Sequence, residues 1–486
     1  MLDYSRCDGP PPPAHRLLTV TVKIRMVMSL VLVAAGVLAG GAGPAATAAL
    51  AASPPTPTPT PASAAPRAPS PSPVRLALPR PTGADAVGRT TVHLVDRSRH
   101  DPWVPSASRE LMVDVYYPAA PDTGSRARYA SVEEVRRYLA ALGLDHTLPV
   151  QAIADTAIAS RTGARALPGR HPLVLLSPGL GVGRRSLTGL AEQLASTGMI
   201  AATVDHAYES VGTAFPGGRM LTCVACEKMR ADADFTTASR VRAADLSFVL
   251  TALTGPHAAW RGAATIDPSR VAIVGHSLGG SAALSGLLTD RRIRVGVDMD
   301  GTLGDQVPPG GLGAGRALLL LGALADHPGA GETTVPPVDD DPTWRAAWAH
   351  LRAPRLWLDV DGADHFSFTD DPVIADQLPM PAMPATPVPA PRPSPPATAT
   401  PPASSSASAR PAPAPASGSG SGTSSGAGGV SGAAAPPGTE ALPGATALAI
   451  TRAYVGAFVT RWLTGRPQPL LDGPTPVYPQ VRVIGR

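Results

Sequence analysis

Lysine is almost missing from this chain: Lys23 and Lys228 are the only two, and arginine carries the rest of the positive charge. The formal net charge is only +4 over 486 residues, and no run of basic side chains is interleaved with aromatics. A phosphate backbone is held by clustered cations, so nucleic acid is a poor partner. Cysteine is equally scarce. Of the three, Cys7 lies in the N-terminal leader, which leaves Cys223 and Cys226 in the tetrapeptide CVAC. One C-x-x-C with no second pair and no paired histidines does not complete a four-ligand metal site. In an oxidising compartment the pair reads instead as a local Cys223–Cys226 disulfide.

The N-terminus carries an address. Arg16, Lys23 and Arg25 precede an apolar stretch from Met26 through Leu38, followed by small residues that include Ala46-Thr47-Ala48. A positive region, an apolar region and an A-x-A site together predict a secretory signal peptide over 1–52 and a secreted protein. An uncleaved membrane anchor is the alternative. Gly40-Gly41-Ala42-Gly43-Pro44 argues against it, because glycine and proline interrupt the stretch before it reaches spanning length. No cysteine follows the apolar run, so a lipid-anchored form is not expected.

Two segments lack the apolar residues needed to offset ordering entropy. Residues 53–80 read as a Pro/Thr/Ser linker, extended and solvated, and 380–443 as a low-complexity insertion containing SGSGSGTSSGAGG. Folding sequence resumes beyond the insertion. Ile450, Tyr454, Phe458 and Trp462 recur every four residues and stop at Gly465, which predicts an amphipathic helix in 444–486 that completes the domain begun at 81–379. Tyr454, Phe458 and Trp462 are expected to cover apolar surface there.

Within 81–379, short apolar runs occur at Leu173–Leu176, Ile200–Val204, Val271–Val274, Val295–Val297, Ala317–Leu321 and Leu356–Leu358. Helical stripes separate them: Leu187, Leu190, Ala191, Leu194 and Ala195 in one case, Val241, Ala244, Phe248, Val249 and Ala252 in another. This alternation predicts an α/β fold, a mostly parallel sheet with helices on both faces. Ligands in such sheets bind beyond the carboxyl ends of the strands.

The chemistry-bearing residues fall at those ends. In VAIVGHSLGGSAAL an apolar strand runs into Gly275-His276-Ser277-Leu278-Gly279, and a helix of small residues follows. This is the G-x-S-x-G nucleophile elbow in its strand–turn–helix context, with Ser277 as the candidate nucleophile. A serine hydroxyl needs a base, and the base needs an orienting acid. Downstream histidines are His327, His350 and His365. His350 lies in the helical stretch DPTWRAAWAHLRAP and reads as surface, whereas His365 follows the last strand, where the base belongs. Two acids are available at strand ends, Asp300 in GVDMDGT and Asp326 in LLLLGALADHP. The commonest hydrolase pattern puts the acid after the later strand, which favours Asp326.

Read together, these motifs resemble the plasma-type platelet-activating factor acetylhydrolases and their bacterial lipase relatives, a family of α/β-hydrolases. The resemblance rests on LMVDVYYPA at 111–119, LLSPGLGVGR at 176–185, GHSLGG, GVDMDGT and GADHFSFTD, in that order, over roughly 85–375 and 446–480. Pro178 departs from the pattern, standing where a histidine is often found, and so does the proline-rich insertion. The resemblance implies Asp300 rather than Asp326 as the acid, and Leu180 and Leu278 as the residues whose amides hold an oxyanion. It also implies hydrolysis of lipid-type or small esters with short acyl groups, without metal or organic cofactor, and leaves transient contact with a lipid surface as an open partner. The sequence itself adds that the loop 206–222, with Tyr208 and Phe215, either walls the acyl pocket or is a plain surface excursion. Two alternatives stand beside this reading: a triglyceride- or polyester-cleaving enzyme on the same scaffold, and a catalytically silent binding module.

Overall fold

The computed structural model describes residues 74–230, 232–324, 326, 341–352, 354–378 and 441–486. The expected signal peptide over 1–52, most of the 53–80 linker and nearly all of the 380–443 insertion lie outside the described residues. The C-terminal end of that linker is not solvated. Leu76 and Leu78 are buried, because alternate residues of this extended segment pack against Tyr129, Val135 and Ile153. Its backbone also exchanges hydrogen bonds with Ala157.

Thirteen strands are present among the described residues: β1 (Ala86–His100), β2 (Ser108–Ala119), β3 (Ser125–Arg126), β4 (Arg161–Thr162), β5 (His171–Ser177), β6 (Ile200–His206), β7 (Thr213–Ala214), β8 (Met220–Leu221), β9 (Ile266–His276), β10 (Ile293–Met299), β11 (Ala317–Ala323), β12 (Arg355–Val360) and β13 (Val481–Gly485). Eleven form one sheet in the order β13-β12-β11-β10-β9-β5-β6-β2-β1-β4-β3, while β7 and β8 pair separately. The central run from β12 to β6 is parallel, and β2 and β13 join it antiparallel. Each apolar run read from the sequence is the interior of one of these parallel strands.

Side-chain alternation divides the core in two. Val174, Leu176, Ala272, Val274, Leu319 and Leu321 point to one face, where they meet the helices Thr188–Ser196 and Gly444–Thr464. Leu173, Leu175, Val271, Ile273, Leu318 and Leu320 point to the other, covered by the helices Asp232–Thr254, Leu278–Thr289 and Pro342–His350. A strand buried on both faces must be apolar at every position, which is why these runs are continuous in sequence.

The C-terminal helix spans Gly444–Thr464 and stops at Gly465, whose φ of 72° ends it in the left-handed conformation. Ile450, Tyr454 and Phe458 are buried in the first core face, each burial contributing about 1.5–3 kcal/mol. Trp462 does not join them. It is 41% exposed, at the last turn of the helix beyond the edge of the core, with Arg461 over its ring. A four-residue repeat drifts about 40° per step around a helix of 3.6 residues per turn, which carries the fourth member off the buried stripe.

Candidate active site

Parallel pairing brings the carboxyl ends of β5, β6, β9, β10, β11 and β12 to one edge of the sheet, and the candidate residues follow directly from those ends. Ser277 leaves β9 with φ 56° and ψ −123°, a region that side chains rarely occupy. The surroundings hold it there: its N–H donates to the Met299 carbonyl at 2.9 Å, and its own carbonyl accepts from Gly280 and Ser281. The flanking glycines are steric requirements. A Cβ on Gly275 would lie 2.0 Å from the Gly279 backbone, and one on Gly279 would lie 2.0 Å from the Ser177 carbonyl oxygen. Among the described residues four non-glycines have positive φ, and three of them, Tyr208, Ser277 and Asp300, sit at this edge. Backbone strain gathers where a fold must aim particular groups.

Asp300 follows β10. Its carboxylate accepts the Ala323 N–H at 2.7 Å through Oδ1 and meets His365 Nδ1 at 2.6 Å through Oδ2. A carboxylate accepts, so Nδ1 carries the proton and Nε2 of the neutral ring is the nitrogen with a lone pair. Asp300 is almost wholly buried while the His365 side chain is about one-third exposed. The His365 ring lies 4.8 Å from that of His276, the residue before Ser277. Asp326 is also near: one polar atom from each of Asp300, Asp326 and His365 lies within 4.8 Å of the others. The structure therefore brings both sequence-read acids to His365, with the 2.6 Å bond made by Asp300. His350 is exposed, as read, and bonds the Val307 carbonyl instead.

The segment after β5 runs beside the elbow: a Cβ on Gly179 would lie 3.3 Å from Ser277 Cβ. Among the described residues, neither the Leu180 nor the Leu278 N–H donates to another protein group. Leu278 is the first residue of the helix that follows Ser277, where amide protons have no intrahelical acceptor.

Comparison with known proteins supplies the class. The solved structure of a ferulic acid esterase from Streptomyces cinnamoneus matches with a TM-score of 0.64 and 34% sequence identity, over 84% of this chain and 99% of that one. The chain belongs to the family of α/β-hydrolases that comprises the plasma-type platelet-activating factor acetylhydrolases and bacterial lipases. It is a carboxylic ester hydrolase. A curated relative, a probable 1-alkyl-2-acetylglycerophosphocholine esterase from Arthroderma benhamiae, is 26% identical over 328 residues, which is 62% of this chain and 77% of that protein. No family model matches the chain.

The walls of this esterase's site are apolar. Leu278 packs in one cluster with Leu180, Tyr208, Val211, Cys223 and Phe235. Tyr208 thus packs on the side of Leu180 and Leu278. Phe215 does not: it packs against Met112, Ala207 and the edge of the His93 ring, because β7 and β8 fold that part of the loop back over β2. The Cys223 and Cys226 sulfurs are 2.10 Å apart, and the short helix Val224–Lys228, which Cys223 caps and which contains Cys226, ties Ala225 N–H to the Tyr208 carbonyl. A cavity of about 240 Å³ lies further along the segment after β5, lined by Tyr129, Tyr138, Arg184 and Arg185 among others, but none of Ser277, Asp300 and His365 borders it.

His276 was read from the sequence only as the variable position of the elbow. Its Nε2 lies 2.6 Å from the His365 carbonyl oxygen, so it donates there and fastens the histidine loop to the elbow. Burial, with His365 beside it, pulls its pKa down to about 3, while the Asp300 and Asp371 charges act weakly in the other direction. Unfolding returns it to 6.5, so between pH 6.5 and about 3 the unfolded chain binds a proton that the folded one does not. Stability is then complete above pH 6.5 and falls as the pH is lowered. At pH 4.5, His276→Gln should lose about 2–3 kcal/mol less, relative to its own value at pH 7.5, than the natural protein loses. Urea unfolding at the two pH values measures this, and equal losses would contradict it.

Proposed function

We propose that this chain is a secreted serine hydrolase that cleaves short-acyl carboxylic esters of lipid type through an acyl-enzyme. The observation that carries the reading is the Asp300–His365 hydrogen bond beside the strained Ser277 elbow, with two unengaged amides next to it. His365 Nε2 takes the proton from Ser277 Oγ as the oxygen attacks the ester carbonyl. Asp300 fixes the tautomer and stabilises the imidazolium. The Leu180 and Leu278 amides hold the oxyanion. The alcohol leaves with the proton from His365, and water repeats the attack to free Ser277 and the acid. The sequence of residues 1–52 supports secretion.

The substrate class draws on three observations. The curated relative is named for an acetyl ester of a glycerophosphocholine. The wall formed by Leu180, Tyr208 and Leu278 suits a small apolar acyl group. The exposed large apolar side chains among the described residues, Val74, Trp462 and Val477, lie on none of the catalytic loops, which favours dispersed esters over the surface of a lipid droplet. One acyl methylene in such a pocket discriminates by about 1–3 kcal/mol. A series from acetyl to palmitoyl esters, with and without a phosphocholine head group, should therefore show an optimum in kcat/KM at short chains. The ferulic acid esterase likeness supports a second reading, an aromatic acyl group, so methyl ferulate belongs in the panel. Long-chain triglycerides cleaved without any activity on short esters would overturn the proposal.

We propose further that Cys223 and Cys226 form a disulfide once the chain is exported. Intact mass under non-reducing conditions should be two hydrogens below the dithiol value, and two alkylatable thiols in freshly secreted protein would contradict it. The loop closed is so short that the bond's effect on stability should be small.

A further inference from the structure

Beneath the oxyanion segment lies a buried charged network that the ester chemistry above does not use. Arg109 reaches Asp101 at 2.7 Å, Glu209 at 2.5 Å and Asp245 at 2.7 Å. Arg242 Nε donates to Glu209 at 2.7 Å, and Trp103 Nε1 donates to the same carboxylate at 3.0 Å. With Arg99 on Asp245, three guanidiniums meet three carboxylates. His206 bridges Asp245 at 2.7 Å and Ser177 Oγ at 3.0 Å. The order Ser177, His206, Asp245 imitates a hydrolytic triad, but all three residues are at most 2% exposed and no substrate reaches them.

The network converges on one short segment. Arg242 Nη1 donates to the Pro178 carbonyl at 2.5 Å. The Glu209 carbonyl accepts the Gly181 N–H at 2.9 Å, and the Gly181 carbonyl accepts the Val211 N–H at 3.2 Å. The Leu180 peptide is therefore gripped on both sides, before it by the Arg242 side chain and after it by the Glu209 backbone, and those two residues are locked to each other through the Glu209 carboxylate. We propose that Glu209 and Arg242 are positioning residues that aim the Leu180 amide at the oxyanion. This rests on the oxyanion role given to Leu180 above.

The physical reason is directional. An amide stabilises a developing charge only when it is held at the charge before the reaction, and the segment after β5 has no regular structure to hold it. Apolar packing sets no direction for a peptide N–H, whereas a guanidinium with its donors in a fixed plane does. Buried ion pairs add little net stability over a well-packed apolar core, so fixing an orientation is a role that such a pair fills and leucine cannot. Burial alone would raise the Glu209 pKa, but Arg242 and Arg109 override it and hold the value at about 2. The Glu209 carboxylate thus stays charged.

The test uses the full chain and an acetyl ester, with a trifluoromethyl ketone that adds to the serine and places its oxyanion in the hole. Arg242→Lys keeps the charge but loses the two-sided grip. It should lower kcat about 100-fold, leave KM within about threefold and the pH profile unchanged, and weaken the ketone in parallel with kcat. Glu209→Gln should show the same pattern. Leu253→Ala, a buried position on the helix that carries Arg242, should lower thermal stability while kcat and ketone affinity stay within about threefold. Wild-type kcat and ketone affinity in folded Arg242→Lys and Glu209→Gln would overturn the proposal. So would kcat losses that merely track stability in all three variants, or a failure of both clamp variants to fold while Leu253→Ala folds. Failure of the ketone to form an adduct at Ser277 in the natural enzyme would instead refute the functional reading itself.

Discussion

Replacing Ser277 with alanine should abolish ester hydrolysis, lowering kcat by about 10⁶-fold while the protein keeps its fold. The size follows from the chemistry. Without Oγ there is nothing for His365 to deprotonate and no acyl-enzyme, so only binding and the oxyanion amides remain. The fold should survive because the elbow is held by its backbone. The Ser277 N–H is bonded to Met299 and its carbonyl to Gly280 and Ser281, and its side chain makes no capping bond to the helix that follows. The positive φ is already paid for in the natural protein, since serine and alanine both carry a Cβ. A melting temperature within about 2 °C of the natural protein, with turnover lost and no labelling by a fluorophosphonate, is the expected pair of results. Near-natural turnover in the folded variant would remove Ser277 from the mechanism.

Much of this arrangement was legible because the signals are local. A strand buried on both faces writes itself as an unbroken apolar run, and β5, β6, β9, β10, β11 and β12 were each visible in that way. The elbow was visible because Gly275 and Gly279 are demanded by contacts within four residues of Ser277 and with the neighbouring strand end. His365 could be located by elimination among three histidines. What stayed hidden depends on pairs remote in sequence. Arg109 and Asp245 are 136 residues apart and Arg109 and Glu209 are 100 apart, and none has a periodic pattern around it. Each alone reads as an ordinary surface charge. Phe215 and Trp462 were misjudged for a related reason. An aromatic residue announces burial but not which surface receives it, and that was decided by the β7–β8 turn and by the length of the C-terminal helix.

The choice between two acids is the part that neither spacing nor strand order decided, and it carries the second large effect. Asp300→Asn should lower kcat by about 10⁴-fold, and Asp326→Asn by no more than about tenfold. Asp300 is 3% exposed, accepts the Ala323 amide, and makes the 2.6 Å bond to His365 Nδ1. Asparagine there would keep the shape but could present its NH₂ to the ring, turning Nδ1 into the acceptor and moving the proton to Nε2, where a base is needed. Asp326 is half-buried, and one of its carboxylate oxygens lies within 4.8 Å of a polar atom of each of the pair, close enough to steady the imidazolium through partly hydrated space. Its charge is worth less there, because water screens it. The two single variants and the double variant, compared by kcat on an acetyl ester, separate the roles. A loss in Asp300→Asn of under about 100-fold, deepened steeply in the double variant, would mean that Asp326 takes over the imidazole when Asp300 fails. A crippled Asp326→Asn beside a nearly silent Asp300→Asn would transfer the acid's role to the later strand.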